Sequence, residues 1–306
     1  MTFRDELKAT VERGFVSSGL PAVARRGRRR GLLILAYHNI IPDGVTIDGE
    51  SSLHLPVARF AGQLDLLRKT HDVVPLDSVL GDRPATGRRP RAVITFDDAY
   101  RGAVTRGIEE VVKRGMPATI FVAPAFVGGR RFWWDVMTPA GASGLSESFR
   151  RQALEECRGA DDVVRRWGER LGYRPTQLPD EWACASEDEL RAAAAQPGIT
   201  VASHSWSHPN LCRLGRAELE EELARPAAWL SERFESVLPI LSYPYGLSSP
   251  AVERVAAAAG YRAGVVIDGG WVSHRPRNPF ALPRLNVPAG LSQTGFLLRT
   301  AGLFPR

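Results

Sequence analysis

The stretch RAVITFDDAYRGAVTRGIEEVVKRGMPATIFVA, residues 91–123, decides the fold. Residues 91–96 are a short apolar run of strand length, 101–114 read as a helix, and Pro117 restarts the chain into the second apolar run, ATIFVA (118–123). Strand, helix and strand in about thirty residues make one parallel βαβ unit. The rhythm continues in both directions. GLLILAY (31–37) reads as a buried strand upstream, followed by a helix over 56–69 with Phe60, Leu64 and Leu67 on one face. Downstream, GITVASH (198–204), PILSYP (239–244), AGVVI (263–267) and LPRLNV (282–287) read as strands, with helices over 216–234 and 249–259. Alternation of this kind predicts an α/β fold, and six or more strands suggest a barrel or an open doubly wound sheet.

The run 128–185 breaks the rhythm. It holds GGRRFWWD, a charged helix-like stretch (146–171) and the loop RPTQLPDEW. It is too long for an ordinary loop. It reads as a helical insertion folded against the body as a cover, not as a domain of its own. The expected organisation is therefore an N-terminal helix and basic segment (1–30), an α/β body (31–290) carrying the insertion 128–185, and a C-terminal tail (291–306).

The chain has 306 residues, 44% hydrophobic and 24% charged, which excludes a disordered or collagen-like protein and is ample for a buried core. Cys157, Cys184 and Cys212 are odd in number and form no CxxC, so neither a disulfide framework nor a cysteine zinc site is expected. No apolar run suits a signal peptide or a spanning helix, so the expected place is the cytoplasm. Phe3, Leu7, Val11 and Phe15 recur every four residues, and Arg25, Arg26, Arg28, Arg29 and Arg30 follow. One reading is a helix packed on the body before a solvated basic turn. The other is peripheral contact with the inner membrane face. Nucleic acid is not an expected partner, because no recognition pattern accompanies the arginines.

Three clusters follow predicted strands, where sites of α/β barrels assemble. In TFDDAY (95–100), Asp97 and Asp98 end a strand, and consecutive side chains there diverge, one toward a metal and one toward water or substrate. A helix cap is the plain alternative for either. In SHSWSHP (203–209), His204 and His208 are four apart. One helical turn would set both imidazoles on one side, a geometry suited to zinc. Asp–His–His leaves coordination positions open, as catalytic sites do. In SYPYG (242–246), a tight turn can present backbone N–H groups to an oxyanion.

In this order, with a strand before each, TFDD, HSWSHP and YPYG resemble the first three motifs of the polysaccharide deacetylase family (the NodB-homology group, carbohydrate esterase family four), in its subgroup with a YPYG-type third motif. The resemblance covers about residues 32–290. It implies a distorted (β/α) barrel and a divalent metal; from the Asp–His–His ligand set zinc is the first expectation, with Co2+, Ni2+ or Mn2+ as other occupants. It further implies removal of acetyl groups from N-acetylated sugars. Carried over, Asp98, His204 and His208 would be the metal ligands and Asp97 the general base, and the N–H of Tyr245 would help bind the oxyanion. Two positions depart from the pattern. Ser242-Tyr243 stand where the family carries an arginine that tethers the base. LPRLNV offers Arg284 and Asn286 where the family supplies a histidine as general acid. His38, ending the first strand, is the candidate replacement acid. A weak acid would favour acetate esters over amides, since an amide nitrogen must be protonated to leave.

For the substrate, Trp133, Trp134, Asp135 and Trp206 are candidates for a sugar platform, with Arg284 a further contact and Trp271 a similar case. The plain alternative is that Phe132-Trp133-Trp134 anchors the insertion. Arg130 and Arg131 are candidates for a phosphate or acidic sugar, as in a lipid-linked glycan precursor. The partner implied is an acetylated glycan. The competing readings are a carbohydrate-binding pseudoenzyme and a metal amidohydrolase acting on a small non-sugar amide.

Overall fold

The computed structural model describes residues 12, 14–45, 49–81, 87–273 and 276–303. Phe3, Leu7 and Val11 of the N-terminal stripe lie outside the described residues. Seven parallel strands carry the fold: β1 (Leu32–Tyr37), β2 (Arg91–Phe96), β3 (Ala118–Val122), β4 (Ile199–Ser203), β5 (Val237–Ser242), β6 (Ala263–Ile267) and β7 (Leu282–Asn286). These are the seven apolar runs of the sequence. β1 pairs with β2 over six residues, Leu32 opposite Arg91 to Tyr37 opposite Phe96. On its other edge β1 pairs with β7, Leu35 opposite Leu285. The sheet therefore closes in the order β1-β2-β3-β4-β5-β6-β7, and the barrel supersedes the open sheet. Closure is uneven. β2 and β3 share only Thr95–Thr119 and Phe96–Ile120, and the register slips between Ala202 and Ser203 where β4 meets β5.

Period-two alternation sorts each strand into two faces. Leu32, Ile34, Val93, Phe121, Ala202, Ile240, Val265 and Leu282 fill the barrel interior as one cluster. Leu33, Leu35, Tyr37, Ile94, Phe96, Ile120 and Val201 face the surrounding helices in another. Those helices include α2 (Val57–Thr70), α3 (Ile108–Val112), α7 (Glu187–Ala194), α8 (Arg216–Ser231) and α9 (Pro250–Ala258). The segment after β7 contains helix α10 (Gln293–Thr300), which packs beside α2. A further helix, α1 (Leu20–Gly27), precedes β1.

The insertion lies over the C-terminal ends of the strands as α4 (Trp133–Val136), α5 (Glu147–Glu155) and α6 (Asp161–Arg170). The stretch 146–171 is two helices, because the chain turns at Arg158 and Gly159, both with positive φ. Gly159 is required there. A Cβ would stand 2.7 Å from the Tyr245 ring, and its carbonyl accepts the Tyr245 hydroxyl at 2.9 Å.

Candidate active site

The inward face of each strand, followed to its C-terminal end, leads to one place. His38, Asp97, His204 and Asn286 continue the interior parity of β1, β2, β4 and β7, and all line a cleft of about 310 Å3. Asp98 has the opposite parity and would point outward if the strand continued. Its φ of 67° turns the chain instead, so both carboxylates face the mouth. A non-glycine residue held in that region costs roughly 1–3 kcal/mol, and such costs cluster where function needs a side chain re-aimed.

His204 and His208 meet without the helical turn expected for them. Residues 204–210 form an irregular loop with left-handed Ser205 and His208. Pro209 explains this, since a residue before proline is disfavoured in helical conformation. The loop is pinned instead by side chains. Ser205 Oγ accepts the His208 N–H at 3.1 Å, and Glu222 of α8 accepts the N–H groups of Trp206 and Ser207 at 2.9 Å each.

The result is a triangle. Asp98 Oδ1 stands 3.4 Å from His204 Nε2 and 3.2 Å from His208 Nε2, and the two Nε2 atoms are 3.2 Å apart. For metal–ligand bonds of 2.0–2.1 Å, the edge of a tetrahedron is about 3.3 Å. Asp98 Oδ1 is buried with no hydrogen-bond donor among the described residues. His204 Nδ1–H donates to the Ser242 carbonyl at 2.7 Å, which fixes the tautomer that leaves Nε2 as a lone pair. The His204 lone pair, the His208 Nε2 facing it and an orphaned carboxylate oxygen fit a cation, and these three residues can hold a divalent metal. Electrostatics agree. Burial alone would raise the Asp98 pKa, but the imidazoles of His204 and His208 facing it outweigh burial and keep the carboxylate ionised. Burial pushes His208 down toward the neutral form. His204 is also disfavoured as a cation by burial, but Asp97 and Asp98 together pull it up, so a metal competes with a proton there.

Asp97 is held by a residue expected elsewhere. Arg284 was a candidate substrate contact; it is fully buried and does not line the cleft. Its guanidinium grips Asp97 in a fork, with Nη1 to Oδ1 and Nη2 to Oδ2 both at 2.7 Å. It also donates to Thr95 Oγ1 at 3.1 Å and Ser242 Oγ at 2.9 Å. Burial pushes the Asp97 pKa up. Arg284, with His204, outweighs it, and the net direction is below the ordinary carboxylate value. Strand parity was the signal available: Leu282, Arg284 and Asn286 alternate with Leu285 and Val287, so an arginine at 284 had to point into the barrel.

His38 lines the cleft as expected. Burial lowers its pKa, against the pull of Asp98 and Asp97. Tyr245 also lines it, in a left-handed conformation (φ 59°), with its ring 4.7 Å from that of His208. Trp133 and Trp134 reach the cleft but are 2% and 6% exposed, and both indole N–H groups are committed, to Tyr245 Oη at 3.0 Å and Tyr100 Oη at 2.9 Å. They chiefly lock the insertion onto the mouth.

Asp135 does not reach the cleft. It is fully buried, accepting from Glu50 N–H (3.0 Å), His54 Nε2 (2.9 Å) and the Tyr100 hydroxyl (2.5 Å), and it does not line the cleft, so it is out of reach of a sugar bound there. Trp206 lies outside as well, its ring covered by the Arg225 guanidinium at 3.6 Å. Trp271 sits at the other end of the barrel, against Arg28 and His71. Arg130 and Arg131 pair with the chain's own Asp161, Asp162 and Asp180, which satisfies the charge a phosphate would need. Sequence reading missed the far wall of the cleft. It is built by Glu50, Ser52 and Leu53 after β1 and by Arg150 and Leu154 of α5, with Glu50 and Arg150 ion-paired. All three cysteines are free.

Residues 85–264 match the sequence model of the family Polysaccharide deacetylase, more than half of the chain. This chain belongs to the polysaccharide deacetylase family. YxkH of Bacillus subtilis (strain 168), a polysaccharide deacetylase by name, is 30% identical over 109 residues, which are 36% of this chain and 39% of that protein. The matched stretch thus spans well under half of that relative. Among solved structures, a de-N-acetylase from Aggregatibacter actinomycetemcomitans superposes with a TM-score of 0.62 at 12% identity, over 88% of this chain and 99% of that one. IcaB from Ammonifex degensii gives 0.60 at 19% identity, over 89% and 96%. The Streptococcus pyogenes deacetylase PplD, solved with acetate, gives 0.60 at 15% identity, over 88% and 97%. At these identities the likeness establishes the shared barrel fold.

Proposed function

We propose that the chain is a metal-dependent deacetylase that hydrolyses the acetyl group of an N-acetylated glycan unit. The observation that carries this is the Arg284–Asp97 fork set beside the Asp98–His204–His208 triangle in one cleft. Zinc suits the two imidazoles and one carboxylate, and Co2+, Ni2+ or Mn2+ are chemically admissible. A divalent ion there supplies Lewis acidity to the acetyl carbonyl and the attacking water.

The chain's own residues do the rest. Asp97 stays ionised and accepts the proton of the attacking water, its carboxylate held still by Arg284 and Ser242. The Tyr245 N–H stabilises charge developing on the acetyl oxygen. His38, which burial keeps toward the neutral form, takes over from Asp97 the proton of the attacking water and delivers it to the leaving nitrogen. Ser242 stands where many family members carry the arginine that tethers the base, in keeping with the YPYG subgroup. The small serine leaves room for Arg284 to reach the same carboxylate from β7. That recovered tether favours turnover over the pseudoenzyme reading.

The cleft volume favours one sugar unit, presented at a chain end or as a short fragment. The same size keeps a small non-sugar amide as the second reading. The test is acetate release from N-acetylglucosamine oligomers, from an acetate ester and from small amides, by metal-loaded protein. Release from the oligomers that is lost in Asp97→Asn is expected. His38→Ala should depress amide hydrolysis more than ester hydrolysis, because an alkoxide leaves without full protonation. Turnover of small amides alone would replace the glycan reading.

A further inference from the structure

We propose that helix α1 and the arginines after it form a docking surface for an anionic bilayer, and that docking there holds the catalytic mouth facing away from the membrane. The surface stands on its own observations; its consequence for substrate rests on the deacetylase reading above.

Helix α1 is turned inside out. A surface helix ordinarily buries its apolar side chains and exposes its charged ones. Here Leu20 is 45% and Val23 61% exposed, one turn apart. Arg25 and Arg28 turn inward instead. Arg25 Nη1 is buried, and Arg28 lies over the Trp271 ring, 5.8 Å from its centroid, and donates to the Gly302 carbonyl at 3.2 Å. Arg26, Arg29 and Arg30 are exposed beside the two aliphatic side chains. None of the three forms an ion pair with a described residue. From Gly14 to Pro42 the sequence contains no Asp or Glu. Among the described residues the patch therefore combines positive charge paired with no acidic group and exposed aliphatic surface. A soluble polyanion would use only the charge. Anionic lipid uses both, the arginines at headgroup phosphates and Leu20 and Val23 in the layer beneath.

The place of this patch is as informative as its chemistry. It adjoins the start of β1: Arg28 rests on Trp271, whose strand Trp271–Val272 pairs with Leu32 and Leu33. The metal-binding triangle lies at the opposite, C-terminal ends of β2 and β4. Strands of five or six residues separate the two ends by about 17–20 Å. Docked by α1, the protein presents its cleft to glycan extending away from the bilayer, and not to the sugar that adjoins a lipid phosphate.

The experiment is flotation of the full-length protein with phosphatidylcholine vesicles, with and without phosphatidylglycerol, beside binding to heparin as a soluble polyanion. Expected is flotation only with phosphatidylglycerol, lost when Leu20→Glu and Val23→Glu are combined. It should weaken about fivefold for each of Arg26→Gln, Arg29→Gln and Arg30→Gln, the effect of about one Boltzmann-weighted charge contact per arginine. Orientation is read from a dye quenched by lipid-borne nitroxide. It is placed either on Cys212, the exposed thiol in the loop after β4 near the mouth, or at Val23→Cys in a Cys212→Ser background. Quenching is expected at position 23 and not at 212. No flotation, or heparin binding that survives the Leu20/Val23 change while flotation never occurs, overturns the membrane surface. Stronger quenching at 212 overturns the orientation. Because no assay contains substrate, either failure leaves the deacetylase reading standing, and loss of deacetylation would leave the docking result standing.

Discussion

The two ends of the barrel are built from the same seven strands and solve opposite problems. At the N-terminal end the interior is aliphatic, with Leu32, Val93 and Leu282 filling it, and the nearby histidine, His71, is a packed neutral group. At the C-terminal end the same inward faces carry His38, Asp97, His204 and Asn286, and Arg284 is buried just beneath them. Five non-glycine residues there, Asp98, Ala99, Ser205, His208 and Tyr245, are held at positive φ. The difference teaches how the site is maintained. Strain and buried charge at the mouth persist because the aliphatic layers below and the insertion above leave the loops no other conformation.

The comparison can be broken most sharply at the mouth. Asp97→Asn should lower kcat/KM by at least about 10^3-fold while metal content, read by elemental analysis, stays at the wild-type level. His204→Ala should lose activity to the same extent and lose metal with it. A variant that retained activity without metal would remove the basis of the contrast.

Arg284→Leu comes next. It leaves Asp97 as an uncompensated buried charge, so a stability loss of about 3–5 kcal/mol is expected in urea unfolding. The acid limb of the pH–rate profile should also move to higher pH, because the guanidinium no longer opposes the effect of burial on Asp97. Arg284→Lys keeps charge but not the fork and should fall between.

At the other end, His71 tests whether the base is as passive as it looks. Its Nε2–H donates to the Thr300 carbonyl at 3.1 Å, and burial pushes its pKa down to about 4. The folded value lies below the unfolded one. The unfolded chain therefore takes up the proton first as pH falls, and stability present above about pH 6.5 is lost toward pH 4. Between pH 7 and pH 5 this amounts to about 2 kcal/mol. Unfolding of His71→Gln should lack that part of the pH dependence. The smallest effect is expected at Trp206→Ala, with kcat/KM within about twofold of wild type, because the ring faces Arg225 and not the cleft. A larger loss would return Trp206 to the substrate.

Much of this molecule was legible before any coordinates. Most of the strands are runs of five or six largely apolar residues between turn signals, and the backbone period that makes such a run a strand is a local property. Asp97, Asp98, His204 and His208 were legible for a related reason: each sits within a few residues of a strand end. The conformation joining the two histidines was not, since proline at 209 excluded the helical turn and Glu222 supplied the anchor from another helix.

What the sequence by itself determined is the set of strands, their alternating faces and the ligand types at their ends, because propensity, period and spacing act over a handful of residues. The tertiary structure alone decided which distant groups meet. Asp97 and Arg284 are 187 residues apart and touch only because the barrel closes and turns both side chains inward. Asp135, beside two cleft tryptophans in sequence, was drawn away to His54 and Tyr100, 81 and 35 residues distant. A buried carboxylate must take its partners wherever the fold brings donors within reach, and that reach is set by packing, not by sequence neighbours.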